Sequence, residues 1–586
     1  DVLSIACRNI EERTGTKIVP EEIPTDDELA FKLMQSGNMD GLFQVEGALY
    51  VSLFKRLPPK QFSDVVASIA LNRPGPLESG MVEDYIKAAK NPAAVHYYAA
   101  RLRPILEETH GTMVYQEQIM QISMAMSGFS AGKSDKLRKA MGKKKLDIMR
   151  QLQADWDEGA VANGYPLEIA QQIWADAEKF AKYAFNKSHS AAYAILVMRT
   201  AYLKAHYPND FMAAVLTSYM GNTDRLIRYI ASCNKNGTPV LPPDINASRA
   251  EFTPVEGGIR FGLVGVRGVG KNVADEIIAE REANGPFTSL HDFVNRLDAK
   301  CYNRKTLEAL IKGGAFDSTG YTRKQLMYFV EETPLLEGAA KRQKDRDAGQ
   351  VSMFDMFADD ADSGFQEDVP APDGVEWDKR TKLAYEKEIM KIYVSEHPLA
   401  PYEGTLRRMS RYDMGTLSEQ TKEIKNGVFV GMISNVATKL TKRGTKMATF
   451  TLEDTTGSIE CICFKYDDFA EVIQEDVIAK IKGKFESGDR GNQIMAFELE
   501  ALELNEEDAR PSHLELRVPS RSFDQNRSAH LSRILSSYPG RDGVVLFVQQ
   551  ADGRRFRAEL PVSVDAQSTV LKAEIRDLFG PEAMIA

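Results

Sequence analysis

Cysteine and tryptophan are scarce in this chain, five and three among 586 residues. Five scattered cysteines, an odd number, make no disulfide framework and fit a reducing compartment. Long apolar runs are lacking as well. The longest, Ala191 to Met198, has eight residues, against the roughly 18–20 that a membrane span needs. The chain is therefore expected to be soluble and cytoplasmic, with no membrane partner. No export signal is visible at Asp1-Val2-Leu3-Ser4-Ile5-Ala6-Cys7-Arg8. Val2, Leu3, Ala6 and Ile10 recur at helical spacing with no cap and no initiator Met before them, so the chain reads as the C-terminal part of something larger.

Catalytic constellations are lacking too. Two-metal chemistry needs carboxylates fixed about ions ~3.5–4 Å apart. The close candidates are Asp360-Ala361-Asp362, in an acidic stretch, and Asp467-Asp468, after a strand-like run, and neither is a credible site. Cys461 and Cys463 fall on one face of a strand and read as small core residues, since no further Cys or His stands at ligand spacing. No Ser/His/Asp set stands out. No metal site is expected within the chain.

What is present is length and patterned charge. At ~100–200 residues per domain the chain makes three to five globular units, which excludes one compact catalytic domain. Residues 1–250 carry 3.6-period patterns and read as a large helical domain. A Gly-punctuated helical region occupies 251–335. Residues 351–376 hold eight acids and no base, with Pro370 and Pro372, a linker composition. A helical connector is expected over 377–426. From 427 to 508 alternation gives three strands, a short helix near Phe469 and two strands, the order of an OB barrel. The remainder, 509–586, reads as a small α+β domain. The fold class is thus multi-domain: mainly α first, then a β barrel and an α+β end.

Lys133, Lys136, Arg138, Lys139, Lys143, Lys144, Lys145 and Arg150 crowd one stretch of a chain whose formal charge is −10. Clustered cations suit polyphosphate; a solvated helix face is the other reading. Nearby, Arg73-Pro74-Gly75-Pro76 reads as a rigid turn presenting an arginine. Tyr183-Ala184-Phe185-Asn186-Lys187-Ser188-His189-Ser190 mixes aromatics, a base and hydroxyls before an apolar helix starting near Ala191. Stacking plus phosphate contact needs such interleaving, although Ser188 or Ser190 also reads as an N-cap. Gly265-Val266-Arg267-Gly268-Val269-Gly270-Lys271-Asn272 has P-loop spacing, but Asn272 cannot give the metal-binding hydroxyl. The alternative is a helix-hairpin-helix whose Gly-x-Gly turn bares N–H groups at the start of a helix over 271–283. A weaker copy is suggested through Leu307, Leu310, Ile311 and Gly313-Gly314. Gln350-Val351-Ser352-Met353-Phe354 has the layout of a linear docking peptide or of a chance match.

Phe43-Gln44-Val45-Glu46, Arg73-Pro74-Gly75-Pro76-Leu77, Tyr115-Gln116-Glu117-Gln118, Arg138-Lys139-Ala140-Met141-Gly142-Lys143-Lys144-Lys145, Phe185-Asn186-Lys187-Ser188-His189-Ser190-Ala191-Ala192-Tyr193 and Lys204-Ala205-His206-Tyr207-Pro208 resemble the fingers of the C-family replicative polymerases, the bacterial DNA polymerase III alpha subunits. The resemblance runs in order along essentially the whole chain. It implies that Arg138 and Lys139 contact the incoming dNTP, Lys139 without the bidentate fork of the more usual Arg. It implies that Arg73, Lys143, Lys144, Lys145, Asn186, Lys187, Ser188 and His189 face nucleotide and primer-template. Arg267, Gly268, Gly270 and Lys271 correspond to the hairpin that holds duplex DNA. Gln350, Val351, Ser352, Met353 and Phe354 correspond to the sliding-clamp peptide, with Met353 in place of the usual Leu. The barrel corresponds to a domain near single-stranded template, and the chain end to a region docking the clamp-loader tau subunit. The resemblance further implies bacterial replisome and nucleoid localisation, Mg²⁺ held by carboxylates upstream of this chain, and a proofreading exonuclease partner through a missing N-terminal part. A fragment so placed is expected to be inactive alone. An error-prone translesion paralogue and a non-catalytic DNA- and clamp-binding module are the rival readings. Eight acids gather in one linker while the bases gather near the expected phosphates, so the net charge conceals the partner.

Overall fold

The structure, a computed structural model, describes all residues except 96, 144, 181–183, 348–373, 421, 441–443, 489–490, 506–507, 510–512, 550–554, 565, 567, 581–583 and 586. It has two compact units, Asp1–Gly221 with Phe252–Ile259, and Asn222–Glu251 with Arg260–Ala586.

The first unit is built mainly of helices, of which α1 (Gln116–Ser127), α2 (Ala131–Gly142), α3 (Lys187–His206) and α4 (Pro208–Ser218) position the site. Apolar residues occur all round α3, and a helix without a polar stripe belongs inside. Ala194, Val197, Met198, Ala201 and Leu203 are buried, and the helix packs on Glu28–Ser36, Phe62–Leu71 and α4. Its one deeply buried cation is satisfied: Lys204 Nζ donates to Asn38 O at 3.1 Å, Asn38 Oδ1 at 2.8 Å and Asp40 O at 2.7 Å. Pro208, unsuited to a helix interior but suited to a first position, separates α3 from α4. A second core, around Trp156 and Trp174 at 5.4 Å, lies among α1, α2, Leu146–Ala162 and Leu167–Phe180.

Two local expectations are corrected. The apolar helix begins at Lys187 rather than near Ala191, and its N-cap is Asn186, whose side chain accepts from His189 N at 2.9 Å. Neither serine caps it: Ser188 Oγ donates to Asn186 Oδ1, and Ser190 is buried one turn in. Arg73 to Pro76 is not a plain turn either. Arg73 is the N-cap residue of a short helix, Pro74–Glu78, started by proline.

In the second unit, α5 (Lys271–Asn284), α6 (Arg304–Lys312) and α7 (Arg323–Glu332) form the helical region, joined to a barrel by α8 (Lys379–Met390). Strands β1 (Ile424–Leu440), β2 (Lys446–Glu453), β3 (Ser458–Cys463), β4 (Ile478–Gly488) and β5 (Gly491–Ala501) close in the order β1-β2-β3-β5-β4. Only β3 and β5 run parallel among the paired barrel strands described. Phe429, Phe450, Cys461, Cys463, Ile481 and Phe485 fill the interior, and burial pushes the Cys461 thiol up. Gly483 sits at a bulge where a Cβ would lie 2.3 Å from Met495 O. The end of the chain is a mixed sheet, with β6 (His513–Pro519), β7 (Pro539–Gln549), β8 (Arg555–Val564) and β9 (Met584–Ile585) in the order β8-β7-β6-β9. Two helices, α9 (Gln525–Ser537) and α10 (Thr569–Phe579), share its core. The fold class is as expected: helical first, then an OB barrel, then α+β. No described helix is long and apolar enough to cross a membrane.

The hairpin does not repeat itself at Gly313-Gly314. These residues follow α6 instead of opening a helix, and a Cβ on Gly314, at φ +82°, would lie 2.3 Å from the Arg323 guanidinium. The turn makes room for a buried arginine, and the next helix, α7, has Thr322 as its cap.

Helix α8 ties this helical region to the barrel through three successive side chains. Glu386 accepts from Arg323 Nη1 at 3.0 Å, Lys387 Nζ lies 2.9 Å from Asp476 and 3.2 Å from Glu453, and Glu388 pairs with Lys312 at 3.2 Å. Successive helical residues point ~100° apart, so one short stretch grips both sides. Burial lowers the Lys387 pKa, but its two carboxylates outweigh that and hold it above its ordinary value.

Candidate nucleic-acid interface

Two sequence segments 70 residues apart meet to form the first site. Gln116 N donates to Phe185 O at 2.8 Å, and Tyr115 and Phe185 form a parallel bridge. Glu117 accepts from Asn186 Nδ2 at 2.8 Å and from Lys187 N at 2.9 Å, using an N–H at the start of α3. Lys187 Nζ pairs with Glu108 at 2.6 Å and lies over the Tyr115 ring. Tyr115 itself is fully buried, and desolvation holds its phenol well above the ordinary range.

Around this junction the expected side chains assemble. The Arg73 guanidinium sits 4.1 Å over the Phe185 ring, a cation–π contact, and burial lowers its pKa. Phe185 meets His189 edge-on at 5.2 Å, His189 stacks on Tyr193 at 4.4 Å, and Tyr193 reaches Phe43 at 5.4 Å. Arg138 Nη1 donates to Gln116 Oε1 at 3.1 Å, while its Nε and Nη2 lie 3.0 and 2.7 Å from Asp135 Oδ1. Lys139 takes the other oxygen of Asp135 at 2.7 Å, and together the two cations hold that carboxyl below its usual range. Ser188 is exposed and donates its hydroxyl to Asn186 Oδ1 at 3.0 Å. Lys143 and Lys145 are exposed just past α2, and Lys144 lies outside the described residues.

The structure therefore brings Arg73, Arg138, Lys139, Asn186, Lys187, Ser188 and His189 into one contact network. Its carboxylate partners, Glu108, Glu117 and Asp135, carry no expected role in the sequence reading. Asp135 was findable, standing three and four residues before Arg138 and Lys139 on one helix face. Glu108 and Glu117 meet their partners only through the tertiary fold.

The second site is the turn before α5. Arg267, Gly268, Gly270 and Lys271 are exposed there, and Gly268 has φ +94°. Val266 and Val269 are buried and Val269 N donates to Val266 O, which sets the turn. Gly270 is the N-cap residue, and no side chain caps α5, whereas Asn303 caps α6. Backbone N–H groups at an uncapped N-terminus, with Lys271 and Arg267 beside them, suit a phosphate. Gln350, Val351, Ser352, Met353 and Phe354 lie outside the described residues. No group of three or more His, Cys, Asp or Glu able to hold a metal occurs among the described residues.

The family pattern for the bacterial DNA polymerase III alpha subunit finger domain matches residues 1–164. A helix-hairpin-helix motif matches 237–326, and an OB-fold nucleic acid binding domain matches 428–502. The DNA polymerase III subunit alpha of Thermus aquaticus is 37% identical over 98% of this chain and 46% of that protein. The chain belongs to the DNA polymerase III alpha-subunit family. The subunit alpha of Aquifex aeolicus is 42% identical over 81% of this chain and 39% of its own length, and that of Escherichia coli K12 is 34% identical over 96% and 49%. The chain spans about half the length of the curated DNA polymerase III relatives it matches, and corresponds to their C-terminal portion.

Proposed function

We propose that this chain is the DNA-handling portion of a replicative DNA-directed DNA polymerase. The observation that carries this reading is the contact network joining Arg73, Arg138, Lys187 and His189 through Gln116 and Phe185, in a chain that also holds a hairpin and an OB barrel. Arg138 and Lys139 take the triphosphate of an incoming dNTP. Lys143, Lys144, Lys145, Asn186, Lys187, Ser188 and His189 face primer-template, Arg267 to Lys271 hold duplex backbone, and the barrel takes single-stranded template. Mg²⁺, held by carboxylates outside this chain, completes the transfer chemistry in the full-length subunit, in the cytoplasm. Partners beyond DNA are the sliding clamp, the clamp-loader tau subunit at the chain end, and a proofreading exonuclease bound elsewhere on the full-length subunit.

The purified chain binds DNA with marked salt dependence, because several domains each neutralise phosphates, yet extends no primer. Mg²⁺-dependent incorporation by the chain alone would overturn the placement of its metal ligands. The five-residue stretch from Gln350 to Phe354 is the clamp contact. Changing Gln350 and Phe354 to Ala removes both anchors, and clamp capture in a pull-down falls to background; undiminished capture shows the peptide to be a chance match.

A further inference from the structure

Gln116 stands where two parts of the site join. Its backbone N–H donates to Phe185 O at 2.8 Å and its side-chain Nε2 donates to Ala184 O at 3.3 Å. The second bond fixes which way the carboxamide faces: nitrogen toward the segment leading into α3, Oε1 toward α2. That oxygen accepts from Arg138 Nη1 at 3.1 Å. Arg138 is held from the other side by Asp135, which takes Nε and Nη2 on one oxygen and Lys139 on the other. A guanidinium has more N–H donors than these contacts use, so part of the fork stays open to a ligand while its plane is set by the protein.

We infer that Gln116 is a positioning residue: it fixes the Arg138 guanidinium against the Phe185–His189 segment, so that the cation meeting the triphosphate and the aromatic face meeting the nucleotide keep one relative geometry. This rests on the reading of Arg138 as a triphosphate contact. The physical reason is specific to arginine. A flexible side chain pays rotameric entropy to form a bidentate contact, and a side chain already oriented by two partners pays less. Asp135 alone cannot supply that, because a single oxygen holding Nε and Nη2 leaves the guanidinium free to tilt about it. Nor can Gln116 be replaced by a mere filler, since its two ends carry opposite hydrogen-bonding roles.

The test is steady-state incorporation by the intact alpha subunit that contains this chain, with dNTP concentration varied on a fixed primer-template. Gln116→Met, similar in size and without either hydrogen bond, raises the dNTP KM roughly ten-fold and changes kcat by less than about two-fold. Gln116→Glu keeps the acceptor for Arg138 but loses the donor to Ala184 O, so it recovers KM only in part, to a value between those of Gln116→Met and the parent. In an Arg138→Ala background, Gln116→Met adds no further rise, because the group it positions is gone. A smaller folded fraction in Gln116→Met lowers the apparent kcat in both backgrounds but leaves KM, the quantity the cycle compares, unmoved. If Arg138→Ala raises KM and Gln116→Met does not, or Gln116→Glu fails to rescue, or the two effects add, the positioning role is wrong while the triphosphate contact stands. If Arg138→Ala itself leaves KM unchanged, the reading of Arg138 fails and this inference falls with it.

Discussion

Glu386→Ala lowers the unfolding free energy of the second unit by about 3 kcal/mol, the lower part of the ~3–5 kcal/mol that one-sided loss of a buried ion pair costs. The side chains of Arg323 and Glu386 are 3% and 1% exposed. Removing the carboxylate leaves a guanidinium that cannot reach water. Asp317, at 2.7 Å and 46% exposed, still offers partial compensation, which is why the lower end applies. The same substitution frees Ser395, whose Oγ donates to the second Glu386 oxygen at 2.8 Å, and loosens α8 where it grips Lys312 and the barrel. Urea denaturation of the intact chain reads the effect as a lower midpoint. Replacing Arg323 and Glu386 together by Met should recover much of the loss, since an apolar pair needs no partner; a single substitution costing under about 1 kcal/mol would show that this contact is not what joins the helices to α8.

The outcome at that joint illustrates what a sequence can and cannot carry. The barrel was legible because strand alternation is local: Ile459, Cys461 and Cys463 alternate with Glu460 and Ile462, and all three are buried. The start of α3 was not, because Asn186, Ser188 and Ser190 are three cap-competent residues in close succession, and which one caps is decided by where the helix packs. Burial of Ser190 and the hydrogen bond that Lys187 N donates to Glu117 settle it. The candidate cations were legible as charge clusters, and Asp135 with them through its helical spacing, yet their partners distant in sequence were not. Lys187 and Glu108 are 79 residues apart, and Arg138 and Gln116 are 22 apart. Motif spacing marks such residues as important without saying that they hold one another. The Gly313-Gly314 pair misled for a related reason: glycine signals freedom of φ or a close approach equally well, and here the neighbour is Arg323 rather than a phosphate.

The two glycines of the hairpin should separate along that same line. Gly268 holds φ +94°, a conformation that a β-branched residue avoids at a cost of at least ~1–2 kcal/mol, so Gly268→Val rebuilds the turn. Gly270 has φ −79° and ψ 163°, ordinary extended backbone, with nothing within 4 Å of a Cβ built there. Gly270→Ala therefore leaves the fold and the melting curve as they are. It still places a methyl beside the uncapped N–H groups of α5, where close approach of a phosphate is the proposed use. Both variants are expected to weaken duplex binding, Gly268→Val by ten-fold or more, which corresponds to ~1.4 kcal/mol, and Gly270→Ala by a few-fold. In fluorescence anisotropy the slope of log affinity against log salt falls by about one for each phosphate that the protein no longer neutralises, while single-strand binding, assigned to the barrel, is spared. Weaker duplex binding by Gly268→Val with no change in Gly270→Ala would mean that the turn matters only as structure. Unaltered duplex affinity in both would remove the hairpin from the DNA-binding surface.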